Sequence, residues 1–235
     1  MLLANLLTAR LRRWINCPSK YSGNTNMQHR FEEVITTRDR LRAVIGEPSH
    51  RVAAKVIDHI DDICRRFIAA SPYAVIATRG SDGRLDLSPK GDPAGFVAVL
   101  DKKTIAIPDR LGNKRIDSFE NLLVHPEVGL LFVIPGYAFT LRVSGKGSLV
   151  RDANLQERLA VAGQQPQLVL VVTVEEAFMH CAKSIARAKL WKPEDWPDTA
   201  SVPSLAEAMV AHGKLAETQA EMGAIIEKDF CTRMY

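Results

Sequence analysis

The sequence of residues 71–92 is SPYAVIATRGSDGRLDLSPKGD. It contains two short runs rich in aliphatic residues, 74–78 and 85–87, and the turn-forming sequence Gly-Ser-Asp-Gly at 80–83 separates them. Two such runs joined by turn residues are typical of an antiparallel hairpin. The sequence therefore predicts that the centre of the chain is built from β-strands that pair with their sequence neighbours.

Five further runs of aliphatic and β-branched residues follow this hairpin, and one helix interrupts them. The runs are residues 96–100, 104–107, 128–133, 140–144 and 168–174. The predicted helix covers residues 113–124, where apolar side chains recur at helical spacing, and His125-Pro126 ends it. Short connections between strands favour a meander or a small barrel over a doubly wound sheet, in which helices alternate with strands.

Helices are predicted on both sides of the strands. Apolar residues recur at spacings of three and four from Val52 to Phe67, which predicts one long helix that begins at Pro48-Ser49 and ends before Pro72. Further helices are predicted at residues 179–189, 204–212 and 214–229. The predicted segments are a disordered basic extension at 1–26, N-terminal helices that pack on the barrel at 27–70, the barrel at 71–175, and a C-terminal helical segment at 176–235.

The positive charge of the chain is concentrated near its start. The 235 residues have a formal net charge of +4, and residues 1–31 contain five basic residues and no acidic one, so the remainder is close to neutral. We therefore predict no nucleic-acid partner. The alternatives for the basic segment are a disordered extension, a targeting or membrane-surface arm, and a packed helix.

Cysteine usage and hydropathy exclude several classes of protein. The four cysteines, Cys17, Cys64, Cys181 and Cys231, lie far apart and form no C-x-x-C pair, so neither a metal site nor a disulfide framework is predicted. No apolar run approaches the roughly 18 residues of a membrane span. We expect a cytoplasmic protein with no membrane partner.

Residues 109–115, DRLGNKR, leave a predicted strand and enter the predicted helix. The first turn of a helix presents unpaired backbone N–H groups, and Gly112 permits a close approach of the backbone to a ligand. Lys114 and Arg115 add positive charge. This combination predicts a phosphate-binding site, and the alternative is a solvated basic helix start.

A second polar segment, Ser88-Pro89-Lys90, follows the second predicted strand. Its hydroxyl and ammonium groups could converge with Lys114 and Arg115 on one dianionic group. The alternative for Lys90 is a surface turn.

Four segments, in this order along the chain, resemble the pyridoxamine 5′-phosphate oxidase-like split-barrel flavoproteins. They are the stretch at 71–92 quoted above, TIAIPDRLGNKR at 104–115, NLLVHPEVGLLF at 121–132 and LRVSGKG at 141–147. The helices before them and the segment 181–191 are similar to a bacterial subgroup of FMN-dependent enzymes. The resemblance implies a mainly β fold, a six-stranded split β-barrel with flanking helices, which forms a homodimer and binds FMN at the subunit interface.

The resemblance also implies which residues contact the cofactor. By this resemblance, Lys90 after the second strand reaches the phosphate, as does the polar, basic turn after a later strand, at Asn113, Lys114 and Arg115. The strand end at Ile107, Pro108 and Asp109 lies along the flavin, and Arg142 reaches the flavin of the partner subunit. Ser88 is added as a neighbour of Lys90.

The C-terminal part departs from the family pattern. True pyridoxamine phosphate oxidases carry paired arginines and a histidine there, which hold the substrate phosphate, whereas residues 228–235 of this chain are KDFCTRMY. The vitamin B6 substrate is therefore not carried over. Lys183, Ser184 and Trp191 are weaker candidates for flavin or substrate contacts, and the alternative is a solvated basic helix with Trp191 as a packing anchor.

The predicted function is an FMN-dependent oxidoreductase that transfers a hydride through flavin N5, with a small-molecule substrate and an electron donor or acceptor as partners. No catalytic side chain is identified from the sequence. The alternatives are a split barrel that uses deazaflavin F420 or haem, and a non-catalytic flavin-binding or sensor protein.

Overall fold

The computed structural model describes residues 31–234, so the extension predicted at residues 1–26 lies outside the described residues. The chain divides into two compact units between Ala53 and Ala54. Helix α1, Arg38–Ile45, belongs to the first unit, and helix α2, His50–Ala54, ends at the boundary.

The second unit contains seven strands, and all of their pairings are antiparallel. They are β1 Tyr73–Arg79, β2 Leu85–Gly91, β3 Ala98–Val99, β4 Thr104–Pro108, β5 Glu127–Val133, β6 Thr140–Val150 and β7 Val169–His180. Their order in the sheet is β2-β1-β5-β6-β7-β4-β3. The predicted mainly β fold is confirmed. The strand count exceeds the predicted six because the two-residue β3 pairs with β4 at one edge.

The sheet is curled. Strands β2 and β4 lie near opposite ends of the sheet order, and in a flat sheet they would be about 24 Å apart at roughly 4.8 Å per strand. In the structure, Lys90 Nζ on β2 lies 3.3 Å from Asp109 Oδ1, directly after β4. Strands β2 and β4 therefore approach each other without pairing, which is the geometry of a split barrel.

Helices α3 Asp62–Ala70 and α4 Asp117–Val124 pack on the curled sheet. The other helices of this unit are α5 Ala153–Arg158, α6 Lys183–Arg187, α7 Leu205–Gly213 and α8 Gln219–Thr232, with a 3₁₀ turn at Pro193–Asp195. Phe67 of α3 and Leu122 of α4 are buried in the same apolar cluster as Phe132 and Leu141 of the sheet. Burial of this apolar surface is the main stabilising contribution to the fold.

The long helix predicted before the barrel is wrong. Residues 55–61 separate α2 from α3, and within them Ile57 exchanges two backbone hydrogen bonds with Ala177 of β7, of 3.0 and 2.8 Å. Strand pairing outcompetes the apolar periodicity here, because Ile57 extends the sheet beside β7. Val52 and Ile63, which the helix would have buried, are exposed.

A capping residue sets the start of α3. The Asp61 carboxylate accepts a hydrogen bond from the backbone N–H of Cys64 and begins α3, and this bond lowers the pKa of Asp61. Burial raises the pKa of the Cys64 thiol to about 11, so this cysteine is an inert core residue.

After the barrel, β7 continues to His180, and the helix predicted at residues 179–189 is reduced to α6.

Gly145 provides a test of the packing between β6 and β7. It lies where the register of the two strands shifts, and a Cβ there would approach the Thr173 carbonyl oxygen to 2.0 Å, whereas a Cβ on Gly129 would meet the Ala77 Cβ at 3.8 Å. We expect Gly145→Ala to lower the free energy of unfolding by about 2–3 kcal/mol, because backbone must move. The matched control, Gly129→Ala, should change it by less than about 0.5 kcal/mol. Urea unfolding followed by circular dichroism measures both, and equal effects would contradict the close approach.

Candidate functional site

A cleft of about 750 Å³ lies where the end of β2 meets the loop after β4. This volume is within the roughly 300–1,000 Å³ of typical small-molecule sites. Its walls come from regions far apart in the sequence, including residues 88–91, 108–116, 118–119 and 164–168, and Arg233 after α8.

Most of the residues predicted to bind a cofactor line this cleft. Ile107 does not, because it is buried in the core at 2% exposure. Arg142, Lys183, Ser184 and Trp191 also lie outside the cleft lining. The predicted residues that the fold brings together in the cleft are Ser88, Lys90, Pro108, Asp109, Asn113, Lys114 and Arg115.

Strand pairing positions Lys90. Its cross-strand partner on β1, Ala74, is fully buried, so Lys90 projects from the inner face of the sheet. Its Nζ lies 3.3 Å from Asp109 Oδ1 and 5.3 Å from the centre of the Phe119 ring. A carboxylate and an aromatic face thus hold this ammonium group at the edge of the cleft.

The backbone after β4 forms a loop, so the predicted helix start at residue 113 is wrong. Helix α4 begins at Asp117, after Ile116. The Asn113 side chain accepts a hydrogen bond of 2.9 Å from the backbone N–H of Arg115, and Lys114 between them has a φ of 61°. The two basic side chains are therefore presented by a tight turn that the asparagine closes, and not by the first turn of a helix.

The two basic residues of this loop differ in their partners. The Arg115 guanidinium donates to both oxygens of Asp117, at 2.9 and 3.3 Å, and this hydrogen bonding lowers the pKa of the Asp117 carboxyl. Within residues 31–234, Lys114 forms no salt bridge. Its charge is therefore available to an anionic ligand without the loss of an existing ion pair.

Arg110 is a cleft residue that the sequence reasoning missed. Its Nε donates to Asp92 Oδ2 at 2.5 Å, and its Nη2 donates to the Leu159 carbonyl oxygen at 2.8 Å. The side chains of Arg110 and Asp92 are only 16% and 1% exposed. This guanidinium ties the end of β2, the loop after β4 and the end of α5 together. A sequence offers no signal for such a pairing, because its members are separated by whole elements.

Two further contacts of the cleft walls were also not predicted. Gln156 Nε2 donates to the Pro166 carbonyl oxygen at 2.7 Å and supports the wall that carries residues 164–168. On the opposite wall, the Ser118 hydroxyl donates to the carboxylate of Asp86, which joins α4 to β2. These bonds hold both walls without using groups of the loop at 109–116.

Arg142 lies on the other face of the sheet. Ser88 pairs with Ile76, Ile76 with Leu130, and Leu130 with Val143, so Ser88 shares its face with Val143. Because neighbouring residues of a strand alternate between faces, Arg142 projects from the opposite side. Its guanidinium lies 5.1 Å from the centre of the Phe178 ring.

Trp191 has a structural contact. Its Nε1 donates to the Tyr137 carbonyl oxygen at 3.0 Å, and Tyr137 packs against the rings of Phe67 and Phe139. This agrees with the alternative of a packing anchor. Lys183 and Ser184 lie at the start of α6, outside the cleft.

Residues 31–234 contain neither a metal-binding cluster nor a membrane-spanning helix. No group of three or more histidine, cysteine, aspartate or glutamate residues in this range is arranged to hold a metal ion. In the same range, no helix combines the length and the apolar character that crossing a membrane requires.

One family of known proteins matches the sequence of this chain. The family model for pyridoxamine 5′-phosphate oxidase matches residues 60–181, more than half of the chain. No curated protein matches.

Similar solved structures include HupZ from Group A Streptococcus, with 19% identity and a TM-score of 0.42 over 51% of this chain and 93% of that one. An FMN-binding protein from Syntrophomonas wolfei has 11% identity and a TM-score of 0.41 over 61% and 94%. An F420 reductase has 17% identity and a TM-score of 0.36 over 48% and 93%.

The Arg110–Asp92 pair provides a test of how the cleft is held. We expect Arg110→Ala to lower the free energy of unfolding by about 3 kcal/mol, because it removes the guanidinium partner of a buried carboxylate. Arg110→Lys should restore less than half of the loss, since one ammonium group does not reproduce the planar donors to Asp92 and Leu159. The matched control is Arg84→Ala, which breaks an ion pair whose side chains are 89% and 48% exposed. Chemical denaturation should give less than about 0.5 kcal/mol for this control, and a similar loss in both alanine variants would refute the role of Arg110.

Proposed function

This chain belongs to the pyridoxamine 5′-phosphate oxidase family, and from that premise we propose that it is an FMN-dependent oxidoreductase. The observation that carries the proposal is the convergence of Lys90, Lys114 and Arg115 on one cleft. These residues come from β2 and from the loop after β4, which only the curled sheet brings together.

The donor set fits a phosphate monoester. Such a group carries about −1.5 to −2 charges at neutral pH and accepts several hydrogen bonds. Lys114 supplies a cation without an ion pair among the described residues, Arg115 supplies a planar guanidinium, and Ser88 adds a hydroxyl. The walls at 118–119 and 164–168 leave space beyond these groups for the rest of a cofactor.

The protein contributes binding and orientation to the reaction. When bound, FMN supplies hydride transfer at its N5 atom. Lys90, Lys114 and Arg115 would hold the phosphate, and the strand end at Pro108 and Asp109 would lie along the flavin. The organic substrate and the electron donor or acceptor are small molecules that enter the remaining space.

We further propose that the protein is a homodimer. Three neighbouring strands, β2, β1 and β5, are apolar on the face opposite the cleft, where Leu87, Val75 and Leu131 lie. Leu85 and Leu87 are 76% and 68% exposed. A sheet face in water ordinarily carries polar residues, and an exposed apolar one marks an interaction surface. Arg142 lies on this same face and can reach a cofactor only in the cleft of a second copy.

The cofactor assignment is tested by the phosphate. We expect Lys114→Ala/Arg115→Ala to weaken FMN binding by roughly 100-fold and to leave the weaker binding of riboflavin, which has no phosphate, nearly unchanged. The matched control is Arg65→Ala/Arg66→Ala, which removes the same charge from exposed positions on α3. Flavin fluorescence titration measures all affinities. Undiminished FMN affinity in the first variant would refute the site, and a purified protein that carries deazaflavin F420 or haem would refute FMN.

The dimer is tested on its apolar face. We expect Leu87→Asp to shift the protein from dimer to monomer, because a charged group would be buried at the interface without a partner. Leu123→Asp is the matched control, since Leu123 is 76% exposed on α4, on the other side of the sheet. Sedimentation velocity measures both variants. A wild-type protein that is monomeric at micromolar concentrations contradicts the proposal.

A further inference from the structure

The residue that follows α8 reaches the loop of the candidate phosphate site. Arg233 Nη2 donates to the Gly112 carbonyl oxygen at 3.0 Å, and its Nη1 donates to Asp229 Oδ1 at 2.7 Å. Arg233 also lines the cleft. Its guanidinium is therefore fixed between its own helix and the backbone of the loop.

This contact differs in kind from the other hydrogen bonds at the tip of the loop. Within the described residues, the other hydrogen bonds of residues 111–115 join Arg115 to Asn113 and to Asp117, which are both close to it in sequence. The base of the loop is held from outside, at Asp109 and Arg110. Arg233 is thus the long-range restraint on the tip, where Lys114 lies.

The direction of the Gly112 carbonyl matters for an anionic ligand. A carbonyl oxygen that turned towards a bound phosphate would repel it, and glycine offers little steric resistance to such a rotation. The hydrogen bond from Arg233 engages this oxygen and opposes the rotation.

The helix that precedes Arg233 is capped at its start and packed on a neighbouring helix. Arg233 lies directly after α8, which begins with a reciprocal capping box between Thr218 and Glu221 and buries Met222. The neighbouring helix α7, which buries Ala206, packs on α8. Arg233 therefore follows a helix that is capped at its start and packed on its neighbour.

We propose that Arg233 is a positioning residue for phosphate binding: it holds the tip of the loop so that Lys114 and Arg115 face the phosphate of the cofactor. This proposal rests on the proposed function, because it acts on the same site. It assigns a role to the C-terminal end of the chain that does not involve the substrate.

The test is the preference of the full-length protein for FMN over riboflavin. We expect Arg233→Ala to weaken FMN binding by about tenfold and to leave riboflavin binding unchanged, so that the preference for the phosphorylated flavin falls by the same factor. Arg233→Lys should restore part of it, because an ammonium group can still donate to the Gly112 carbonyl oxygen. Lys228→Ala removes an exposed charge from the same helix and is the matched control, expected to have no effect.

Two results would overturn the proposal. If Arg233→Ala lowers the affinities for FMN and riboflavin equally, the residue only supports the fold, and if neither affinity changes, the contact has no role in binding. A wild-type protein with no preference for FMN would instead refute the proposed phosphate site, and this inference with it. The wild-type titration thus separates a failure of the site from a failure of Arg233 alone.

Discussion

The ladder between β6 and β7 is the constraint on which the rest of the structure depends. β6 pairs with β5 along its first half and with β7 along its whole length, while the first half of β7 pairs with β4. These two long strands therefore join the β2-β1-β5 half of the sheet to the β4-β3 half. The register shift at Gly145 allows their backbones to approach closely at the bulge.

The curl of the sheet explains two ion pairs of the cleft. When the edges approach, Lys90 from one half meets Asp109 from the other, and Asp92 meets Arg110 in the same way. Each pair crosses the gap between β2 and β4, which are not paired with each other in the described sheet. Side-chain electrostatics thus replace strand pairing at the split, and loss of one partner of the nearly buried Asp92–Arg110 pair costs more than loss of one partner of an exposed pair.

The local patterns of the sequence predicted the strands well, because each strand has its own apolar run and its own turn residues. The hairpin at residues 71–92 is an example, although β2 continues to Gly91, so the prediction that Ser88 and Lys90 follow the second strand is wrong. The failures came from contacts that apolar periodicity does not reveal, some between distant residues and one within a turn. Ile57 pairs with Ala177 and interrupts a helix whose periodicity was regular, and the Asn113 side chain closes a turn where a helix was expected. Arg110 and Arg233 act through partners that no local pattern reveals.

The position of the candidate site has a thermodynamic consequence. A ligand that binds only the folded state stabilises it, and the gain depends on ligand concentration relative to the dissociation constant. Here the cationic groups belong to both sides of the open edge, Lys90 to β2 and Lys114 to the loop after β4. An anion held by both groups would bridge the split without a new backbone hydrogen bond. Because that bridge would span the same edge as the Arg110–Asp92 pair, loss of the pair should weaken ligand binding as well as the fold. The cleft is thus both the candidate ligand site and the place where the barrel is closed by side chains.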